Sequence, residues 1–241
     1  MSASPTGRSQ RPLVLGHRGA RQSAPENTLL AFELALEEGA DGVELDVRMT
    51  QDGAIVVFHD ADLEVWGGRK RRISDFPLSE LRAARSGTEQ IPTLDEILAW
   101  QDRSGAFLNI ELKGDGPRPL ELARRVADLV RGRPATLLSS FQASIVRNLS
   151  RALPDMTTAL LVEREQLLGW AFWPPRLLGT SAIHPAESLL NERLLARLRA
   201  GGASWIGTWT VNSPERAVAL SKLGVDAIIT DTPRKILQHL A

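Results

Sequence analysis

Two kinds of segment alternate along almost the whole chain, and this alternation limits the possible folds more than any other feature. Short β-rich runs stand at 13–16, 42–47, 54–59, 106–112, 136–140, 157–162, 180–184, 204–211 and 225–230. Helix-length amphipathic stretches at 27–38, 118–131, 142–152, 188–200, 213–222 and 233–240 lie between most of them. Such alternation predicts βαβ units and a parallel sheet. Eight or nine strands in 241 residues fit a TIM-type (β/α)8 barrel better than an open doubly wound sheet, since such barrels take ~250 residues. No G-x-G-x-x-G turn opens a helix, which counts against the dinucleotide-binding form of the open sheet. Without repeats or linkers, one barrel domain over 12–241 is expected, preceded by a disordered tail at 1–11.

One junction departs from the rule. Only "RMTQDG" separates the runs at 42–47 and 54–59, whereas a parallel crossover needs a dozen residues or more. An antiparallel β-hairpin near the second strand is therefore expected, with Asp52-Gly53 in its turn. In that hairpin Glu44 lies roughly opposite His59.

Composition removes several kinds of chemistry. Hydrophobic residues make up 43% of the chain, enough for a sizeable core, and basic and acidic residues balance at 29 each. That balance argues against nucleic acid or an acidic membrane surface as a partner. The chain has no cysteine, which rules out disulfides, thiolate metal sites and thiol nucleophiles. No apolar run matches a signal peptide or approaches the ~20 residues of a membrane span, so a soluble, cytoplasmic protein with no stable membrane insertion is expected.

Against this background, a few polar residues sit in strands that read as buried. Residues two apart in a strand share a face, so Glu44 and Asp46 point one way while Val43, Leu45 and Val47 point the other. The same alternation recurs at "NIELK", with Asn109, Glu111 and Lys113 on one face. Buried carboxylates need a partner or a metal. Three of them at strand positions suit one hard divalent cation, Mg2+ or Ca2+, although each acid could instead pair with an arginine. Of four histidines, His17, His59 and His184 end strands. His17 and His59 suit an acid/base pair, His184 reads as structural, and His239 as solvent-exposed. Arg18 and Lys113 can clamp a phosphate. Lys113 alone also permits a Schiff-base lyase, and a phosphate-binding barrel without catalysis is a further alternative. Phe141 and Trp209, at strand ends, read as core on their chemistry alone.

The ordered set "HRGARQSAPENT", "GVELDVRMTQDGAIVVFHD", "NIELK", "SSF", "TWTVN" and "DAIITDTP" resembles the bacterial glycerophosphodiester phosphodiesterases from about Leu13 to Pro233. The resemblance implies a TIM-type barrel that hydrolyses a small-molecule glycerophosphodiester to glycerol 3-phosphate and an alcohol. It implies His17 and His59 as the acid/base pair, and Glu44, Asp46 and Glu111 as metal ligands. Arg18 and Lys113 would hold phosphate oxygens, with Phe141 and Trp209 lining the glycerol or alcohol side. In "PENT", Asn27 reads as a helix N-cap, and Glu26 as a support for the site or for the helix N-terminus.

The sequence departs from the family just after "HD". In place of the family's Arg-Thr-Thr-like segment stands "ADLEVWGGRKRR", in what the resemblance implies is a small insertion bordering the substrate cleft. The leaving alcohol is therefore open, and a lysophospholipase D-like preference is one alternative. The basic run Arg69 to Arg72 reads as a solvated loop rather than a nucleic-acid patch. Trp170, Phe172 and Trp173 beside Pro174-Pro175 read as a lid, a lipid or dimer contact, or helix packing.

Overall fold

The structure, a computed structural model, describes residues 11–64, 70–163 and 179–240. Residues 1–10 of the tail expected at 1–11, together with Arg69 and the aromatic cluster at 170–175, lie outside the described residues, whereas Arg11 pairs with Asp41 at 2.6 Å. In chain order the first half runs β1 (Leu13–His17), α1 (Leu29–Glu37), β2 (Gly42–Met49) and β3 (Ile55–Val57). A small insertion follows, with α2 (Leu78–Leu81), β4 (Arg85–Ser86) and β5 (Glu89–Gln90), and then α3 (Leu94–Ser104). The chain continues with β6 (Phe107–Leu112), α4 (Pro119–Val130), β7 (Thr136–Ser140), α5 (Ala143–Ala152), β8 (Thr158–Val162) and β9 (Ala182–Pro185). It ends with α6 (Glu192–Ala200), β10 (Trp205–Thr208), α7 (Pro214–Leu223), β11 (Ala227–Thr230) and α8 (Pro233–Leu240).

Strands β1, β2 and β6 to β11 are parallel and close into an eight-stranded barrel, because β1 pairs with β2 on one side and β11 on the other. The pleat sorts each strand's side chains to two cores. Outward residues such as Val43, Leu45, Leu108 and Ile110 pack under the helices. Inward residues Leu15, Phe107, Leu137, Ala159, Ala182, Trp205 and Ile229 form an apolar plug inside the barrel, with Phe107 and Trp205 stacked at 6.0 Å. Burial of this apolar surface supplies most of the driving force for closure.

The expected hairpin is present, with Gly53 in the turn at φ 85°, a backbone shape that favours glycine. Its second strand is shorter than expected, covering 55–57 rather than 54–59. Val47 pairs with Val57, and Phe58 donates to the Asp46 carbonyl (2.9 Å). Phe58, not His59, is therefore level with the acids. Arg48 Nε and Nη2 take the His59 carbonyl (2.9 and 2.6 Å), which draws that residue out of the ladder.

Helix α3, absent from the expected stretches, completes the crossover to β6. Thr93 and Glu96 form a capping box at its start, and Gly105 (φ 69°) ends it. The insertion has its own small core of Val56, Phe58, Leu63, Ile73, Phe76, Leu81 and Ile91. Arg71 of the basic run lies over the Phe76 ring at 4.2 Å and bonds Glu80 and the Asp75 carbonyl. No helix among the described residues is long and apolar enough to cross a membrane.

Candidate active site

The inward-facing polar residues collect where the parallel strands end, the face on which barrel enzymes carry their sites. The β2–β6 register sets Asp46 beside Glu111 and Glu44 beside Asn109. Glu44, Asp46 and Glu111 are all buried, and each offers an oxygen within 4.8 Å of the others. Asp46 takes Lys113 Nζ (2.9 Å), Arg18 Nε (3.3 Å) and Asn27 Nδ2 (2.8 Å). Glu111 shares the same Lys113 ammonium at 2.6 Å. Glu44 forms no ion pair with a described residue; its Oε2 accepts the Arg18 backbone N–H at 3.1 Å.

Two cations thus serve three buried carboxylates, and the shortfall appears in their protonation. Burial, then Asp46 and Glu111, raise the Glu44 carboxyl well above the usual range. Burial, followed by Asp46, pushes Glu111 up to about 7. Burial also works against the Asp46 charge, but Lys113, Arg18 and His59 outweigh it and hold that carboxyl low. A divalent cation is the partner such a set lacks, and three oxygen donors at this spacing fit one. Lys113 is desolvated too, yet Asp46 and Glu111 raise its ammonium above the ordinary value. A charged lysine is no amine nucleophile, which counts against the Schiff-base reading.

Local backbone geometry delivers Arg18. Its φ is 56° and that of Gly19 is 85°, and the Arg18 N–H bonds the Glu44 carbonyl at 2.9 Å. A Cβ on Gly19 would lie 2.6 Å from the Ala31 backbone, so the turn rests directly on α1. Asn27 is not the N-cap; that position belongs to Thr28, whose Oγ1 accepts from the Ala31 N–H at 3.2 Å. Asn27 has φ 58°, a left-handed conformation that asparagine tolerates better than most residues. Its amide then faces Asp46, donating to Oδ2 while Oδ1 accepts the Asp46 N–H (3.2 Å). Glu26 bridges Arg18 Nη1 (2.8 Å) and Arg21 Nη2 (2.9 Å), supporting the site rather than the helix dipole.

Both rim histidines present Nδ1 to an aspartate, leaving Nε2 for other work. His17 Nδ1 lies 2.7 Å from Asp231 Oδ1, and Asn212 Nδ2 donates to the other oxygen at 2.6 Å. Burial works against the Asp231 charge, but His17, Asn212 and Arg21 prevail and lower its pKa. His59 Nδ1 lies 2.7 Å from Asp60 Oδ1. Burial, with Lys113 and Arg18 nearby, lowers the His59 pKa despite Asp46 and Asp60. Arg48 ties the His59 carbonyl to Asp115 through Nη1 (2.6 Å).

Phe141 and Trp209 leave the fully buried core expected from their chemistry. Both are half-buried at the ends of β7 and β10, in edge-to-face contact at 5.3 Å. His184 lies inside the barrel, with both ring nitrogens unpartnered. Sequence reasoning did not single out Asp231, Asn212 or Arg48. Asp231 carried a usable signal, an acid directly after the apolar run "AIIT" and inward by parity.

Barrel and rim together define the class of protein, an α/β-barrel phosphoric diester hydrolase. More particularly, the chain belongs to the Glycerophosphoryl diester phosphodiesterase family, whose model matches residues 17–235. It is 32% identical over 235 residues to the protein YqiK of Bacillus subtilis, covering 92% of this chain and 96% of the relative. It is 29% identical over 236 residues to a glycerophosphodiester phosphodiesterase of Caldanaerobacter subterraneus subsp. tengcongensis, covering 93% and 96%. Among solved structures, an Oleispira antarctica phosphodiesterase in complex with the product sn-glycerol-3-phosphate superposes with a TM-score of 0.86 at 28% identity, covering 95% of this chain and 96% of that one.

Proposed function

We propose that this protein hydrolyses glycerophosphodiesters to glycerol 3-phosphate and an alcohol, with residues 12–241 acting as one phosphodiesterase domain. The observation that carries the proposal is the excess of buried carboxylate at Glu44, Asp46 and Glu111, set between two histidines whose Nδ1 atoms are already engaged. The related Oleispira enzyme, bound to sn-glycerol-3-phosphate, supports the substrate class.

Glu44, Asp46 and Glu111 would hold one divalent cation, Mg2+ or Ca2+, which when bound neutralises charge on the phosphate. Arg18 and Lys113 hold non-bridging phosphate oxygens and stabilise the charge that grows on them in the transition state. One imidazole accepts the proton of the attacking hydroxyl, and the other donates a proton to the departing alkoxide. Asp231 and Asp60 keep the proton on Nδ1, so Nε2 is the atom that exchanges protons with substrate. Phe141 and Trp209 cover the carbon face of the glycerol or the alcohol.

The test is release of glycerol 3-phosphate from a panel of glycerophosphodiesters, with and without EDTA. Release that stops on chelation and returns with Mg2+ or Ca2+ is expected. Absence of release from every diester in the presence of either metal would overturn the reading.

A further inference from the structure

A small basic cavity borders the described part of the insertion that departs from the family pattern. This cavity, of about 130 Å3, lies between the insertion and the β6–α4 connection, and Arg48, Arg72, Ile73, Lys113, Asp115 and Arg118 are among its lining residues. Four cations therefore face one carboxylate. Three of the cations are already committed. Arg48 bonds Asp115 and the His59 carbonyl. Lys113 bonds Asp46 and Glu111. Arg118 reaches Glu121 and the Thr50 carbonyl. Arg72, from the basic run, makes no side-chain hydrogen bond or ion pair with any described residue. Arg72 is exposed at the edge of this basic recess, where a free guanidinium attracts an anion and can bind a phosphate or carboxylate through two parallel N–H groups.

The cavity and the carboxylate cluster have one residue in common. Lys113 lines the cavity, and the same Lys113 sits on the carboxylate cluster. A second recess of about 210 Å3 lies against His59 and carries Glu26 and Asp60. That recess looks suited to a cationic alcohol, but its acids are occupied. Glu26 bridges Arg18 and Arg21, and Asp60 holds His59. Of the two recesses, only the Arg72 cavity therefore holds a charged side chain with no described partner.

We propose that the Arg72 cavity seats the leaving alcohol and selects an alcohol that carries its own negative charge, with Arg72 as the specificity-determining contact. The proposal rests on the phosphodiesterase reading given above. It predicts a preference for diesters whose alcohol bears a second phosphate or a carboxylate over those of neutral or cationic alcohols.

The experiment measures initial rates of glycerol 3-phosphate release by the full chain in Mg2+-containing buffer. Three substrates are compared: glycerophosphocholine, glycerophosphoglycerol and deacylated cardiolipin, whose leaving alcohol keeps a charged phosphodiester. Deacylated cardiolipin is expected to show a kcat/KM about five- to tenfold above the other two, and added salt should narrow the gap. Arg72→Ala should abolish the preference and Arg72→Glu should invert it, so that the loss on deacylated cardiolipin exceeds the loss on glycerophosphoglycerol. A wild-type preference for glycerophosphocholine, or Arg72 variants that slow all three substrates equally, would overturn the assignment. No release from any of the three would instead defeat the phosphodiesterase reading and the proposal with it.

Discussion

Asp231 Oδ1 lies 2.7 Å from His17 Nδ1, although 214 residues separate the two in the chain. The carboxylate is gripped from the other side by Asn212, so the imidazole has a fixed plane and a fixed tautomer. Asp231→Asn keeps the shape but offers a donor where an acceptor is needed. A fall in kcat of roughly 10²–10⁴ with KM little changed is expected. Steady-state kinetics check this, and an unchanged kcat would remove Asp231 from a positioning role.

His17→Ala and His59→Ala should each lower the rate by ~10²–10⁴ while the far-UV circular dichroism stays native. Neither ring belongs to the apolar core, so loss of folding is not the expected cause. Turnover at the wild-type rate in either variant would end the acid/base assignment.

The carboxylate cluster gives paired expectations for Glu44→Gln. In chelator the variant should melt above the wild type, because one of three mutually repelling buried acids has been neutralised. On metal addition the wild type should gain about 2.7 kcal/mol at a hundredfold excess over its Kd, and the variant should need more metal for the same rise. Identical titration curves in a thermal-shift assay would take Glu44 out of the ligand set.

Asn27→Ala deletes both hydrogen bonds to Asp46 and leaves a left-handed backbone without the residue that tolerates it. A loss of about 2–4 kcal/mol is expected in urea unfolding. A change under about 0.5 kcal/mol, the scale of ordinary surface substitutions, would mean the contact is not structural.

His184 supplies a pH dependence. Burial holds its pKa down to about 3, against an ordinary value of 6.5. Between those values the unfolded chain binds a proton that the folded chain refuses. Stability is therefore lost as pH falls below about 6.5. His184→Leu removes this term. Its stability relative to the wild type should rise by about 2–3 kcal/mol between pH 7 and pH 4.5, read from urea unfolding at both values. A constant difference would mean that the ring has a partner in solution.

Much of this site could be read before the fold was known, and the limits have physical reasons. Parity in "GVELDV" and "NIELK" puts Glu44, Asp46, Glu111 and Lys113 on inward faces, because the strand period is two whatever the partner. Parity does not reveal which strands are neighbours, and so His17 could not be matched with Asp231 until β1 was seen against β11. The turn that carries Arg18 and Asn27 depends on two positive φ values at residues other than glycine, and those leave no periodic trace. The hairpin was predictable from its short spacer. Its register near His59 was not, because the Arg48 guanidinium removes that carbonyl from the ladder. Helix α3 announced itself through "TLDE", a capping box that periodicity alone overlooked.

The β1–β11 seam has a consequence for how the protein comes into being. His17 lies on the first strand of the barrel and Asp231 just after its last. Seven-eighths of a barrel can collapse and bury apolar surface while this histidine still lacks its orienting carboxylate. Non-local closure of this kind is slow and comes late. A chain truncated before β11 therefore lacks the carboxylate that orients His17, and the His17–Asp231 contact forms only in the closed barrel.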